Sequence, residues 1–383
     1  MPGLRLDRAG AALVGGSLML AVGAVDLNQL GKAIDLPTLA LLLGLMIVVG
    51  NLRLSGFFRL VTAWVVARAR HPLALLAAVV ASAGVFSAFL LNDAICLVMT
   101  PLVADIARRM RRDPVPYLLA VAMASNIGST ATITGNPQNI LIGSFSGIAY
   151  SRFAAALSPV AAIGLVLAFA LIWLMHRAEF RGGDAFRAAA RPAHLHRPLA
   201  YKALAVTAAM VAAFFAGVPP ALAALVAGGA MLLTRIVRSE RIYREIDWPL
   251  LLMFAGLFVI VAGFENALLT PGIVAQVGRL HLDQVPVLAL GTAVLSNLVS
   301  NVPAVLVLRP FVGAAGDPDR AWLTIAMAST LAGNLTILGS VANLIVVQGA
   351  RAGGVTIGFW AYFRVGAPLT VLTIALGAYW LAR

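Results

Sequence analysis

Long apolar runs alternate with short polar connections along the whole chain. The runs cover residues 9–27, 36–52, 73–104, 114–147, 153–175, 203–235, 249–264, 284–308, 321–348 and 365–382. Many reach the ~20 residues that an α-helix needs to cross a bilayer's hydrocarbon. The pattern predicts an all-α polytopic membrane protein, with about ten helical spans or partial spans in one bundle. The residues ahead of the first run, Met1 to Arg8, are too few for a cleavable signal, so none is expected.

Two runs depart from a plain span. Residues 73–104 are apolar for 32 positions and have basic flanks at both ends, Arg70-His71 and Arg108-Arg109. With both flanks on one side, the segment must enter the membrane and return, which predicts a re-entrant hairpin with its tip near Leu91-Asn92-Asp93. The run 114–147 carries Ser125-Asn126-Ile127-Gly128-Ser129-Thr130-Ala131-Thr132-Ile133-Thr134-Gly135-Asn136-Pro137-Gln138-Asn139 at its middle. Glycine, proline and small polar side chains there predict a broken helix, whose freed carbonyls suit a cation and whose second half offers an amino terminus to an anion.

Both features recur. A shift of 212 positions superposes Ala12–Leu20 on Ala224–Leu232, Asp35-Leu36-Pro37 on Asp247-Trp248-Pro249 and Gly44-Leu45 on Gly256-Leu257. A shift of 209 brings Asn92 onto Asn301 and Pro101 onto Pro310, and one of 204 brings Thr132–Gly135 onto Thr336–Gly339 and Asn139 onto Asn343. Three windows in one order, matching Gly, Pro and Asn, indicate an internal duplication. The second hairpin then covers 284–312, with its tip at Ser300-Asn301-Val302-Pro303, and the second broken helix covers 321–348. Repeat one spans 9–175, a cytoplasmic linker 176–202, and an extra span plus repeat two 203–383.

Charge orients the copies. Of 28 Lys and Arg residues, 22 fall in alternate connections that begin with Arg5 and Arg8, which predicts a cytoplasmic amino terminus and a multi-pass protein of the cell's inner (plasma) membrane. The first span runs outward from Arg8, whereas its counterpart runs inward to Arg235, so the repeats are inverted, as in many secondary transporters. The net charge of +13 is this bias and not a nucleic-acid footprint. Cys96 is the single cysteine and the five histidines lie in connections or at run ends, so neither a disulfide nor an intramembrane metal cluster is expected. No span carries a His pair or a nucleophile beside a base, which argues against an enzyme, and no ring of filter residues suggests a channel.

The candidate binding residues are Asn92, Asp93, Ser125, Asn126, Ser129, Thr130, Thr132, Gly135, Asn136 and Asn139 from the first copy. Ser300, Asn301, Asn334, Thr336, Gly339, Ser340 and Asn343 come from the second. Asp93 is the carboxylate predicted deep in the membrane; it serves a proton or cation, or else caps backbone amides at the hairpin tip. The polar residues of the breaks bind solute or join helices to one another. Arg309 either attracts an anion or snorkels to the interface, and Cys96 is a thiophilic contact or a buried structural thiol.

Asn92-Asp93-Ala94 with Pro101, Ser300-Asn301-Val302-Pro303-Ala304, Gly135-Asn136-Pro137-Gln138-Asn139 and Asp247-Trp248-Pro249 resemble the ion-transporter superfamily. The resemblance is to its arsenite-permease and NhaD-like branch, with the citrate and divalent-anion symporters as more distant relatives. In the symporters the tips read Ser-Asn-Thr and bind sodium and a carboxylate; here that implies Asn92, Ser300 and Asn301, with sodium at the hairpin tips. The reading is a proton- or sodium-coupled transporter of a small anion or metalloid oxyacid, of the arsenite and antimonite efflux type, with no cofactor. The alternatives are a sodium/proton antiporter and a sodium-coupled carboxylate or inorganic-anion symporter. The resemblance also implies a homodimer and an elevator-like movement of the hairpin-bearing part.

Overall fold

The computed structural model describes residues 6–68, 71–181, 195–233, 236–268, 281–313 and 316–383. Helices build the molecule, and no strand occurs among the described residues. The first half contains α1 (Arg8–Ala21), α2 (Leu27–Ala33), α3 (Leu36–Ser55), α4 (Phe57–Arg68), α5 (Pro72–Phe89), α6 (Asn92–Arg109), α7 (Pro114–Ser129), α8 (Pro137–Ser146), α9 (Tyr150–Met175) and α10 (Arg177–Phe180). The second contains α11 (Arg197–Phe215), α12 (Pro220–Leu232), α13 (Ser239–Tyr243), α14 (Trp248–Leu268), α15 (Val285–Val299), α16 (Asn301–Val312), α17 (Pro318–Ala332), α18 (Val341–Ala352) and α19 (Phe359–Ala382). Of these α3, α5, α9, α11, α14 and α19 are long and apolar enough to cross a membrane.

The starts follow from local chemistry. Asp7 accepts from the Gly10 amide at 2.7 Å to cap α1, and Asp113 accepts from the Val115 amide at 3.0 Å ahead of Pro114 in α7. A carboxylate cap followed by proline in the first turn satisfies or removes the orphan donors of a helix start.

Two helix pairs form a scaffold: α1 packs on α14, and α3 on α12. Lipid offers no hydrophobic drive for such pairing, so close backbone approach through small residues must supply it. A Cβ added to Gly44 would sit 2.3 Å from the Ala224 carbonyl oxygen, and one added to Gly256 would sit 2.5 Å from the Ala12 carbonyl carbon. These two contacts are related by the same 212-residue shift. In each, a helix of the first half grips a helix of the second.

Against the scaffold lie the hairpins and broken helices. α5 and α6 meet at Leu90-Leu91, both 3% exposed, and α15 and α16 meet at Ser300. α7 stops at Ser129, the chain makes one 3-10 turn at Ile133–Gly135, and α8 resumes at Pro137; α17 stops at Ala332, turns at Ile337–Gly339 and resumes as α18. α5 packs along α7 with Gly128 against Gly84, where a Cβ would come within 2.1 Å of the Gly84 oxygen.

The run 203–235 holds two helices, separated at Gly217 (φ 85°), because the Pro219-Pro220 step begins a new helix and cannot extend the old one. α11 already starts at Arg197, inside the segment expected to be linker. Residues 182–194 of that linker and Arg5, Arg70, Arg235 and Arg279 lie outside the described residues. The polar connections also hold short helices, α2 and α4, that hydropathy alone does not reveal.

Candidate functional site

The breaks are held open by asparagine. Asn139 Nδ2 donates to the carbonyls of Ser129 (3.1 Å) and Thr132 (2.9 Å), and its amide N–H donates to Asn136 Oδ1 (2.9 Å). Asn343 Nδ2 donates to the carbonyls of Gly333 (2.7 Å) and Thr336 (3.0 Å) in the same pattern. Buried carbonyls released by a break must find donors, and one amide group serves two of them in each copy. Gly135 and Gly339 let the chain fold back on itself: a Cβ would meet the Ser129 oxygen at 2.2 Å or the Gly333 oxygen at 2.7 Å.

The two breaks interlock. Asn126 Nδ2 donates to Asn334 Oδ1 (2.9 Å) and Asn343 Oδ1 (3.0 Å), while Asn126 Oδ1 accepts from Asn92 Nδ2 (3.1 Å) and Ser340 Oγ (3.1 Å). At the equivalent position of the second copy, Thr330 Oγ1 accepts from Asn136 Nδ2 and Gln138 Nε2, each at 3.1 Å. Ser129 and Thr130 turn inward onto the Asn126 carbonyl (2.8 and 3.2 Å), and Thr132 donates to the Ala88 carbonyl at the end of α5. Ser125 is buried and accepts from Cys96, 2.9 Å away, which makes that thiol part of the packing.

In front of this network lies a cavity of about 640 Å3. Both hairpin tips line it (Asn92, Asp93; Ser300, Asn301), as do Pro137 and Gln138 of one break and Ser340 and Val341 of the other. The scaffold supplies Arg8, Ala11 and Ala12 from α1 and Leu250, Met253, Leu257 and Ile260 from α14. Four helices, α6, α8, α16 and α18, begin at its wall. Their partial positive charge favours negative groups there, and Asp93 stands in the first turn of α6. Its carboxylate forms no hydrogen bond or ion pair with a described residue. A smaller cavity of about 100 Å3 adjoins it through Asp93 and is lined also by Arg53, Glu245 and Asp247; Arg53 and Glu245 pair at 2.8 Å.

The tips are not equivalent. In the second, Ser296 Oγ donates to Asn301 Oδ1 at 2.6 Å. In the first, the corresponding atoms, Ser87 Oγ and Asn92 Oδ1, are buried with no hydrogen-bond partner. Ser300 has φ 81° and ψ 159°, a region that costs a non-glycine residue on the order of 1–3 kcal/mol. That strain sits on the cavity wall. Neutral oxygens at the first tip suit a hard cation; the described residues contain no group of three or more His, Cys, Asp or Glu able to hold a metal ion.

Of the sequence candidates, Asn92, Asp93, Ser300, Asn301 and Ser340 reach the cavity. Ser125, Asn126, Ser129, Thr130, Thr132, Asn136, Asn139, Asn334 and Asn343 form the buried layer behind it, Gly135 and Gly339 make the close turns, and Thr336 contributes its carbonyl. Arg8 and Gln138 line the cavity and were not singled out by sequence. Gln138 stands within the Gly-Asn-Pro-Gln-Asn motif, whereas Arg8 is indistinguishable in sequence from the other basic residues of its side. Arg309 is exposed and lies over the Phe145 ring, 4.2 Å from its centre, away from the cavity.

A membrane-embedded cavity between paired hairpins and broken helices defines a multi-pass membrane transporter. The chain belongs to the citrate transporter family, CitMHS, whose model matches residues 3–332, in agreement with the superfamily that the motifs suggest. It is 30% identical to the silicon efflux transporter LSI3 of Oryza sativa subsp. japonica, over 98% of this chain and 93% of that one. It is also 30% identical to the 46 kDa membrane protein of Mycobacterium leprae, over 98% and 94%. The YdaH transporter of Alcanivorax borkumensis, a crystal structure described as having an unusual topology, superposes with a TM-score of 0.65 over 98% of both chains at 16% identity.

Proposed function

We propose that the protein is a secondary active transporter that moves a small metalloid oxyacid or anion out of the cell, of the arsenite and antimonite type, coupled to protons or sodium. The carrying observation is that an unpartnered Asp93 carboxylate and an unpartnered Asn92 Oδ1 share one cavity with four helix amino termini. A hydroxylated oxyacid has protons to donate to Asn92 and Asp93, and oxygens to accept from the Asn301 amide and the helix ends. Similarity to a silicon efflux transporter favours that solute class and that direction. A carboxylate at membrane depth costs at least ~2.5 kcal/mol on insertion scales, so its retention without a partner supports exchange of a proton or cation there.

A second reading makes sodium the coupling ion, held by Ser87 Oγ and Asn92 Oδ1, two buried oxygens of the first hairpin that lack a hydrogen-bond partner; with no anionic substrate this becomes sodium/proton exchange. The family's description, citrate transporter, keeps carboxylate transport as an outcome of the test, and a sodium-coupled symport of a carboxylate or an inorganic anion is its form here. We further propose that 9–175 is one repeat, that the second half holds an extra span, α11, followed by an inverted second repeat, that a cytoplasmic linker from residue 176 to the start of α11 joins them, and that the protein is a homodimer of the plasma membrane with its amino terminus in the cytoplasm.

The test is flux in proteoliposomes for arsenite, antimonite, silicic acid and citrate, under a pH gradient and with or without sodium. Wild type should move an oxyacid in a gradient-dependent manner, and Asp93→Asn should lose at least about tenfold of that dependence. Unchanged, still pH-coupled flux in Asp93→Asn removes its role, and sodium-driven citrate flux alone replaces the oxyacid reading.

A further inference from the structure

We infer that Arg8 is the charge partner of Asp93, and that it links occupation of the coupling site to recognition of the solute. Among the described residues that line the large cavity, Arg8 and Asp93 are the only charged ones. They stand on opposite bodies, Arg8 on the scaffold helix α1 and Asp93 on the first hairpin. Neither forms an ion pair with a described residue. The backbone that carries the exposed Arg8 side chain is held from both sides. Asp7 caps the helix that Arg8 opens, and the contact of Ala12 with Gly256 pins the next turn of α1 to α14.

The surrounding charges set the balance around this pair. Facing Asp93 are Arg8 from α1, Arg53 from α3, and Glu245 and Asp247 from the segment that leads into α14. Arg53 and Glu245 neutralise one another, whereas Asp247, which caps α14 through the Leu250 amide at 3.0 Å, keeps its negative charge beside Asp93. α5 carries no charged residue, and α7 and α18 present amides and hydroxyls at this level. With Asp93 ionised, Arg8 faces two carboxylates, Asp93 and Asp247, and one negative charge is in excess. Once Asp93 takes up a proton or a cation that excess is gone, Arg8 is opposed by Asp247 alone, and the cavity holds an anion or the oxygen face of an oxyacid more readily. Solute affinity then follows occupation of Asp93, which is the linkage a coupled carrier needs. The inference rests on the transporter reading, and its readout is the cavity's electric field, which requires no knowledge of the solute.

Ala11 lines the cavity and is exposed, whereas the native Cys96 is 0% exposed, so Ala11→Cys introduces one accessible thiol without removing another. The full chain in lipid nanodiscs is treated with an anionic methanethiosulfonate (sulfonatoethyl) or a cationic one (trimethylammonium-ethyl), between pH 5 and 9. The ratio of the two rates cancels the thiol's own ionisation and reports the local potential. In the Ala11→Cys background the anionic-to-cationic ratio should rise as pH falls. Adding Arg8→Gln should lower it at least about tenfold throughout, and Arg8→Lys should restore most of it. Adding Asp93→Asn should leave it high and independent of pH. A ratio within about twofold of the background in Arg8→Gln overturns the role of Arg8, as does absence of labelling by either reagent. A pH-dependent ratio that survives in Asp93→Asn instead overturns the proposed role of Asp93 and leaves the Arg8 arm intact.

Discussion

Replacing Asn139 by alanine tests whether the broken helix depends on one side chain. The substitution removes donors at 3.1 and 2.9 Å from two buried carbonyls, those of Ser129 and Thr132. Hydrogen bonds between helices in a membrane average only about 0.6 kcal/mol, because the unfolded chain finds other partners; on that scale the loss is about 1 kcal/mol. Each carbonyl keeps one longer bond, from Asn136 Nδ2 to Ser129 at 3.3 Å and from the Gly135 amide to Thr132 at 3.4 Å, so the cost of a buried carbonyl with no donor at all, about 1–3 kcal/mol, is an upper bound for each. Both carbonyls lie where the helix has already stopped, and Ser129, Thr132 and Asn139 are at most 2% exposed, so water cannot take the place of the amide. The expected destabilisation lies between the two figures, about 2 kcal/mol, read from reversible unfolding in mixed micelles. Asn343→Ala removes the donor of the Gly333 carbonyl and leaves Thr336 with the Gly339 amide at 3.1 Å, and should lose a similar amount. A loss under about 1 kcal/mol for both would refute the claim that these amides hold the breaks, and would return them to the pool of possible solute ligands.

Other outcomes follow from contacts already described. Gly44→Ala and Gly256→Ala push a Cβ into backbone at 2.3 and 2.5 Å and should each destabilise by about 2 kcal/mol, overpacking exceeding the helix-propensity gain; Gly229→Ala, with nothing within 4 Å of its Cβ, should be neutral or slightly stabilising in the same unfolding assay. If sodium is the coupling ion, Ser87→Ala should weaken sodium-dependent thermal stabilisation about tenfold in apparent affinity, whereas Ser296→Ala should not, since Ser296 already serves Asn301. Equal effects at both serines would mean that the tips bind alike.

The hairpin tips and the breaks were legible because each violates a local rule in plain view. Asparagine and aspartate interrupt a long apolar run at 92 and 93, and Gly-Asn-Pro breaks another at 135 to 137. The duplication made every such violation readable twice. What sequence could not separate was the cavity wall from the layer behind it: Asn92 and Asn126 are the same residue type in equally polar settings, yet one faces the cavity and the other ties four side chains together. That distinction depends on which copy each amide meets, a contact between residues about two hundred positions apart. Arg8 was hidden for a different reason. Its charge was already explained by the bias of basic residues toward one set of connections, and only the packing of α1 on α14 places it on the wall of the cavity that Asp93 also lines.

The exchange of partners in the scaffold also sets a timetable for synthesis. Gly44 grips Ala224, and Ala12 meets Gly256, so each grooved surface waits for a helix that leaves the ribosome roughly 180 to 240 residues later. At translation speeds of about 5–20 residues per second that is a delay on the order of ten seconds to a minute. During that interval the groove of α3 is filled only by acyl chains or by insertion machinery. Neither half of the gene product can therefore mature by itself in the bilayer, and a nascent chain stopped after α11 would carry two unmatched glycine faces into the lipid.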